Sequence, residues 1–109
     1  MFLAVGLGAF GAHALQKRLS PEMLAIFETG VRYQVYHALG LFAVAWVSSK
    51  NPDSLANAAG WAITFGIVVF SGSLYALALT GTRWLGAITP IGGVAFLAGW
   101  ILLFLAATR

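Results

Sequence analysis

Two stretches of this chain, residues 54–82 and 84–108, contain no Asp, Glu, Lys or Arg. A helix that crosses a bilayer needs roughly 20 predominantly apolar residues, because the hydrocarbon core is about 30 Å thick and each residue advances the helix by about 1.5 Å. Both stretches are long enough. Residues 1–16 and 33–49 are also free of these charges, and they can cross if their polar flanks reach the interface or the bilayer thins locally. The sequence therefore predicts four membrane spans.

Composition agrees with a membrane protein and argues against other classes. The chain of 109 residues is 61% hydrophobic and 8% charged, with a mean hydropathy of +0.90, and these values lie outside the averages of soluble domains. Its six Lys and Arg residues are too dispersed to form a nucleic-acid surface, so anionic lipid headgroups are the expected counter-charge. Cysteine is absent. His13 and His37 lack the spacing of a helical metal pair, so we expect neither a metal nor a cofactor.

Small residues in the first span predict close helix packing. Ala4, Gly8 and Ala12 recur at four-residue intervals, with Gly11 beside them. A stripe of small residues lets two helix backbones approach each other, so we expect this face to be buried. No basic region precedes the span as in a signal peptide, so we expect it to belong to the folded protein.

Local signals give the ends of the other helices. Ser20, Pro21 and Glu22 read as an N-cap, a first-turn proline and an acid at the positive end of the helix dipole. Apolar and polar residues then fall on opposite sides of a helix that we expect to lie along the interface and to bend near Gly30. The run 51–54, Asn-Pro-Asp-Ser, ends the second span.

The start of the last span has two interpretations. Pro90 would clash with the carbonyl of Gly86 in one regular helix over 84–108, so such a helix would be kinked. Alternatively, Thr89 caps a helix that begins at Pro90, which leaves 81–88 as an apolar connection anchored by Trp84. We favour the second interpretation. The predicted fold is an all-α, integral membrane, up-and-down four-helix bundle with spans at about 1–16, 33–49, 55–79 and 90–108 and an interfacial amphipathic helix at about 21–32.

Basic residues give an expected orientation. Alternating spans put the first and third loops on one side, with Lys17, Arg18, Arg32 and Arg83, and leave Lys50 and Arg109 on the other. The excess of Lys and Arg in cytoplasmic loops favours loops 1 and 3 in the cytoplasm and both termini outside.

Polar side chains are predicted to gather in one leaflet. His13 precedes Gln16 by three residues and His37 follows Tyr33 by four, so both imidazoles are expected about 5 Å below their helix ends, at a shared depth. The opposite leaflet is nearly all apolar. Polar groups in hydrocarbon tend to face the interior of a bundle and to find partners there. The candidate residues are His13, Gln16, Glu28, Arg32, Tyr33, Gln34, His37, Ser71, Ser73, Tyr75, Arg83 and Thr89.

Each part of this cluster has alternative interpretations. The histidines can hydrogen-bond across helices, or they can form a proton-responsive or ligand-contacting pair. Glu28 and Arg32 have the spacing of a helix-surface ion pair, although Arg32 can instead hold a lipid phosphate. The helix start at 89–93, near Arg83, is either a plain glycine-rich start or a phosphate site. The two serines have no base and acid arranged with them, so no catalytic residue is expected.

Several motifs together resemble a known family. These are Gly8-Ala-Phe-Gly-Ala-His-Ala-Leu15, Tyr33-Gln34 with His37-Ala-Leu39, Phe70-Ser-Gly-Ser-Leu-Tyr75, and Ile88-Thr-Pro-Ile-Gly-Gly93 followed by Gly99-Trp100. The set resembles the small membrane-protein family that includes YgdD and YwdK, domain of unknown function 423. The resemblance implies a four-helix protein of the bacterial inner (plasma) membrane and supplies no catalytic residue. Relatives look longer before Gly8, so we expect a shortened first helix here.

The leading functional hypothesis is a non-enzymatic membrane protein with a structural role. Its polar leaflet would contact membrane lipids, a second copy of the chain or another membrane protein. The alternative is a small-molecule or proton-linked transport component, because ionisable residues within a membrane are functional candidates. An enzyme acting on lipid is a third hypothesis. Transport needs a continuous polar path, and the apolar leaflet offers few residues for one.

Overall fold

The computed structural model describes residues 1–52 and 54–108, and within these ranges the chain folds into helices joined by short connections. Asp53 of the expected turn and Arg109 of the charge comparison lie outside the described residues. The helices are α1 Phe2–His13, α2 Pro21–Lys50, α3 Ser54–Gly66, α4 Gly72–Thr80 and α5 Thr89–Thr108. The all-α prediction is confirmed for this part of the chain.

Shorter helical segments connect these helices. A π-helical segment, Ile67–Ser71, joins α3 directly to α4. Turns of 3₁₀-helix at Leu15–Lys17 and Arg83–Ala87 lie between α1 and α2 and between α4 and α5. Nothing in the sequence pattern indicates the π-helical segment.

Helix α2 begins where the sequence predicts and then continues without a break. The Ser20 hydroxyl accepts a hydrogen bond from the amide of Met23 at 3.2 Å, and Pro21 occupies the first turn. The expected division at residues 32 and 33 is absent, because α2 runs through Gly30 as one helix of 30 residues. At about 1.5 Å per residue, α2 is about 45 Å long. Residues 21–32 are therefore the first turns of a long helix rather than a separate element.

Two helical stretches are long and apolar enough to cross a membrane. Leu55–Thr80 covers most of α3, the π-helical segment and α4, and Arg83–Thr108 covers the 3₁₀ turn and α5. The second stretch begins before the expected helix start at Pro90, and Thr89 lies inside α5, where its hydroxyl lies 3.4 Å from the carbonyl oxygen of Leu85. Helix α5 begins at Thr89, one residue before the expected start, after a 3₁₀ turn that contains Trp84. Gly81 ends α4 in the left-handed conformation, with φ of 71°.

Helices α3 and α5 pack closely in antiparallel orientation. Gly99 of α5 faces Ile63 of α3, and Gly92 faces Phe70 of the π-helical segment; a Cβ at Gly99 would lie 2.6 Å from Cγ1 of Ile63. Small residues therefore set the distance between the two backbones. The buried positions recur every three or four residues on both helices, at Ala56, Ala59, Ile63 and Gly66 in α3 and at Gly92, Phe96, Gly99, Leu103 and Ala106 in α5.

Helix α1 runs antiparallel along the first half of α2. Gly8 faces Val31 and Gly11 faces Phe27. The prediction that the face with the small residues is buried is only partly correct, because Ala4 and Gly11 are buried whereas Ala12 is exposed. The contact follows Gly8 and Gly11, three residues apart, rather than the four-residue repeat.

Large apolar side chains cover the outside of the molecule. Phe42, Trp46, Trp61, Leu97 and Phe104 are each between 65% and 67% exposed. A protein in water would gain free energy by burying this much apolar surface. Its exposure therefore indicates that the surroundings are apolar. Together with the two long apolar stretches, this surface is typical of a membrane protein.

Candidate functional site

Tyr75 and Gln34 join α4 to α2 through a hydrogen bond. The Tyr75 hydroxyl donates to Oε1 of Gln34 over 2.6 Å, and Gln34 is buried. Gly30 makes this approach possible, because a Cβ there would lie 2.8 Å from Cε1 of Tyr75. The Tyr75 ring also packs on Phe27, with ring centroids 5.0 Å apart. Two of the predicted site residues are therefore in direct contact.

Ser71, the last residue of the π-helical segment, and Ser73 form hydrogen bonds to neighbouring helices. The Ser71 hydroxyl donates to the carbonyl oxygen of Gly30 at 2.7 Å, and Ser71 is 1% exposed. The Ser73 Oγ lies 2.9 Å from the carbonyl oxygen of Phe70 and 2.6 Å from Oγ1 of Thr89. Either hydroxyl can be the donor in the bond between Ser73 and Thr89, because each also lies near a carbonyl oxygen, that of Phe70 for Ser73 and that of Leu85 for Thr89. These contacts tie the start of α4 to α2 and to the start of α5.

His37 is held by partners at both ring nitrogens. Its Nδ1 lies 2.8 Å from the carbonyl oxygen of Tyr33, and Trp100 donates its indole N–H to Nε2 at 3.0 Å. A carbonyl can only accept and an indole N–H can only donate. The contacts therefore require a neutral imidazole with its proton on Nδ1. A doubly protonated ring would direct a second N–H at the indole N–H and would lose that hydrogen bond.

Aromatic rings surround the same imidazole. Phe96 stacks on His37 with centroids 3.5 Å apart and an angle of 11° between the planes. Gly66 and Gly40 leave space for these rings, because a Cβ at Gly66 would lie 2.6 Å from Cε1 of Phe96 and one at Gly40 would lie 2.9 Å from Cη2 of Trp100. His37 is therefore part of a packed aromatic contact between α2 and α5.

The other candidate residues lie on the surface. His13 and Gln16 are exposed, and their side chains make no hydrogen bond with another described residue. Glu28 and Arg32 are also exposed, and within residues 1–52 and 54–108 they form no ion pair with each other. The expected helix-surface pair is therefore absent there. Arg83 instead donates to Oε1 of Glu22 at 3.1 Å, and both of these side chains are largely exposed.

The two histidines do not share a depth, contrary to the expectation from sequence. Helix α1 is antiparallel to α2, with Gly8 beside Val31. His13 lies beyond Gly8 toward the beginning of α2, whereas His37 lies beyond Val31 in the opposite direction. At about 1.5 Å per residue, the two residues are about 17 Å apart along the axis. The expectation failed because it started the second helix at Tyr33, whereas α2 starts at Pro21.

Sequence reasoning missed three residues of this arrangement. Trp100 and Phe96 hold His37, and Glu22 binds Arg83. The four-residue spacing of Phe96 and Trp100 places both on one face of α5, which was an available signal for the aromatic contact. Among the described residues, no three His, Asp or Glu side chains come together in a way that could hold a metal ion.

These features define the class of the molecule as a helical membrane protein. The long helices are apolar outside, and buried polar side chains from different helices are paired inside. Similar proteins from Bacillus and Staphylococcus are also named membrane proteins, in agreement with this class.

The chain belongs to the family described as "Protein of unknown function (DUF423)", which matches residues 7–93. The UPF0382 membrane protein YwdK of Bacillus subtilis is 52% identical over 108 residues, covering 98% of this chain and 88% of the relative. A UPF0382 membrane protein of Staphylococcus epidermidis is 52% identical over 107 residues, covering 98% and 87%. SSP2132 of Staphylococcus saprophyticus is 54% identical over 101 residues, covering 93% and 83%. The resemblance inferred from sequence is confirmed. No solved structure matches the chain.

Proposed function

We propose that this chain is a non-enzymatic, multi-pass protein of the inner (plasma) membrane with a structural role. Four helical segments form an up-and-down bundle: α2, the continuous α3 to α4 unit and α5 cross the bilayer, and α1, 12 residues long, enters it beside the first half of α2. Polar side chains inside the molecule fix how the helices pack. The apolar exterior contacts lipids or a membrane partner, either a second copy or another protein.

One observation carries this proposal: the buried polar side chains already have partners inside the chain. Gln34, His37, Ser71 and Ser73 are the buried polar residues of the described part, and each is hydrogen-bonded to another helix. Hydrogen bonds between helices in a membrane contribute about 0.6 to 2 kcal/mol each. Side chains paired in this way stabilise one arrangement of helices.

The expected orientation is part of the proposal. The ion pair between Glu22 and Arg83 brings the first and third loops to the same end of the molecule. Lys17 and Arg18 belong to that end as well. The positive-inside preference then favours this end in the cytoplasm and the far ends of α2 and α5 outside. The first turns of α2 lie at headgroup depth, which replaces the separate interfacial helix of the sequence prediction.

The transport hypothesis depends chiefly on His37, as the titratable residue buried among the spans. Both of its ring nitrogens are bonded to protein groups. A proton relay through this ring would have to break the bond from Trp100 in each cycle. The hydrogen bond from Trp100 to His37 links α5 to α2, and this link explains why a histidine is buried there. We therefore favour the structural function.

A double-mutant cycle at Tyr75 and Gln34 tests the structural role. Tyr75→Phe removes the donor, and Gln34→Leu removes the acceptor while keeping a side chain of similar size. We expect each single variant to lower the free energy of unfolding and the pair to show a coupling of about 0.6 to 2 kcal/mol. The measurement is reversible unfolding of the purified protein by dodecyl sulfate in mixed micelles, followed by circular dichroism.

The control is Tyr36→Phe, because Tyr36 is 54% exposed and its hydroxyl has no partner among the described residues. This variant should leave the stability nearly unchanged. Additive effects of Tyr75→Phe and Gln34→Leu would contradict the structural proposal. Proton or solute flux in liposomes that is lost in a stably folded His37→Gln variant would favour transport instead.

A further inference from the structure

We propose that the groove between α1 and α2 binds a phospholipid with a phosphoethanolamine headgroup. Arg32 binds its phosphate, Glu28 binds its primary ammonium, and the headgroup lies over the groove. This proposal rests on the proposed function, since it names a lipid that the membrane-embedded surface recognises.

Glycines create the groove. It is open to the outside and is lined by Gly8, Gly11, Phe27, Glu28, Val31 and Arg32. Gly11 packs directly on Phe27, where a Cβ would lie 2.9 Å from Cε1 of the ring. A Cβ at Gly8 would lie 3.4 Å from Val31, so that position is less tightly filled. The groove is thus free of bulky side chains on the α1 side, which leaves room for a headgroup.

The rim of the groove carries two opposite charges that are available to a ligand. Glu28 and Arg32 are exposed and lie four residues apart on α2, which puts them on the same face. Although this spacing permits an ion pair, the described part of the chain forms its ion pair between Glu22 and Arg83 instead. A separated carboxylate and guanidinium are complementary to a zwitterion.

The length of α2 puts these charges at the edge of the hydrocarbon. Helix α2 is about 45 Å long, about 15 Å more than the hydrocarbon core. With Lys50 at the far boundary, the near boundary falls about 20 residues earlier, close to Gly30. Glu28 then lies on the headgroup side of this boundary, and Arg32 lies just inside, where its long side chain can extend outward to a phosphate.

The order of the charges matches the headgroup. In phosphatidylethanolamine the phosphate lies nearer the acyl chains and the ammonium lies farther out. Arg32 is the deeper of the two residues and Glu28 is the outer one, about 6 Å apart along the helix. Arg32 can form paired N–H bonds to phosphate oxygens, and a primary ammonium donates N–H bonds to a carboxylate. The quaternary ammonium of phosphatidylcholine has no N–H to donate, and phosphatidylglycerol has no cation.

Headgroup selectivity of the purified full chain tests the proposal. The probes are dioleoyl phosphatidylethanolamine and dioleoyl phosphatidylcholine, titrated in detergent and measured by native mass spectrometry. The wild-type chain should prefer the ethanolamine lipid about fivefold, which corresponds to about 1 kcal/mol. Glu28→Gln should bring the ratio of the two affinities close to one, whereas Arg32→Gln should weaken both lipids about fivefold, as expected for loss of one phosphate-binding charge.

A matched pair of variants tests whether the lipids bind at the groove rather than elsewhere on the surface. Gly8→Leu fills the groove and should weaken both lipids, whereas Gly6→Leu on the same helix points into open space and should have no effect. Glu22→Gln removes an acid from the same helix outside the groove and should keep the selectivity. Retained helicity and monodispersity check the fold of each variant.

Equal binding of the two lipids by the wild-type chain, or unchanged selectivity in Glu28→Gln, would overturn the headgroup assignment. If the Tyr75 and Gln34 coupling is still measured in that case, the structural function stands without this lipid site. If the coupling is also absent, both proposals fail.

Discussion

Gly92 is the position where a single methyl group should be least tolerated. A Cβ added there would lie 2.7 Å from Cβ of Phe70 and 2.8 Å from its Cα, and it would also meet the Phe70 amide nitrogen. These atoms belong to the backbone of the π-helical segment or are fixed to it. Rotation of a side chain therefore cannot relieve the overlap, and Gly92→Ala must push α5 away from the preceding helix.

The expected loss of stability follows from two opposing effects. Inserting a methylene-sized group into a packed interior costs about 1 to 3 kcal/mol, and a contact with backbone belongs at the upper end of that range. Replacing glycine by alanine within a helix returns up to about 1 kcal/mol through helix propensity. We therefore expect Gly92→Ala to lower the free energy of unfolding by about 2 kcal/mol.

Gly93 provides a matched control one residue further along the same helix. A Cβ there would lie 3.9 Å from Cδ2 of Phe70, which is an ordinary van der Waals distance. Gly93→Ala should therefore be neutral or slightly stabilising. The assay is unfolding by dodecyl sulfate in mixed micelles, with helicity measured by circular dichroism. Equal stabilities for Gly92→Ala and Gly93→Ala would refute the claim that backbone contact at Gly92 limits the approach of α5.

Two further variants test the ends and the interior of the helices. Ser20→Ala removes the hydroxyl that accepts from Met23 and should cost about 1 kcal/mol of unfolding free energy, and an unchanged stability would show that this cap is dispensable. Trp100→Phe removes the donor to Nε2 of His37 and should cost about 0.6 to 2 kcal/mol, whereas Trp61→Phe, at a residue 65% exposed, should cost much less. Similar losses for the two tryptophan variants would contradict the assigned hydrogen bond.

Features with a local physical cause could be predicted from the sequence. Ser20 caps α2 because its hydroxyl satisfies a free amide of the first turn. The charge-free stretches became the long apolar helices because a charge in hydrocarbon is costly. The pairing of Gln34 with Tyr75 is consistent with the expectation that polar groups among the spans find partners.

Features that depend on packing between helices could not be predicted in the same way. A glycine in a helix costs only about 1 kcal/mol, so Gly30 does not end α2, and the Tyr75 ring that packs on Gly30 comes from another helix and has no signal within the spacing of α2. The position of His13 depends on how α1 is aligned with α2, and spacing within one helix does not determine that alignment. Trp100 was missed as a partner of His37 because tryptophan in a span also serves as an interface anchor.

The π-helical segment at Ile67–Ser71 sets the direction in which the rest of its helix faces. One extra residue in a turn rotates everything after it by about 100° relative to a regular α-helix. Before the segment, Ile63 and Gly66 face α5, whereas after it Leu74 and Tyr75 face α2. The continuous helix from α3 to α4 therefore contacts its neighbours through differently oriented faces before and after the π-helical segment. Loss of a single residue within the segment would turn Tyr75 away from Gln34, so the length of this short stretch matters as much as the identity of its side chains.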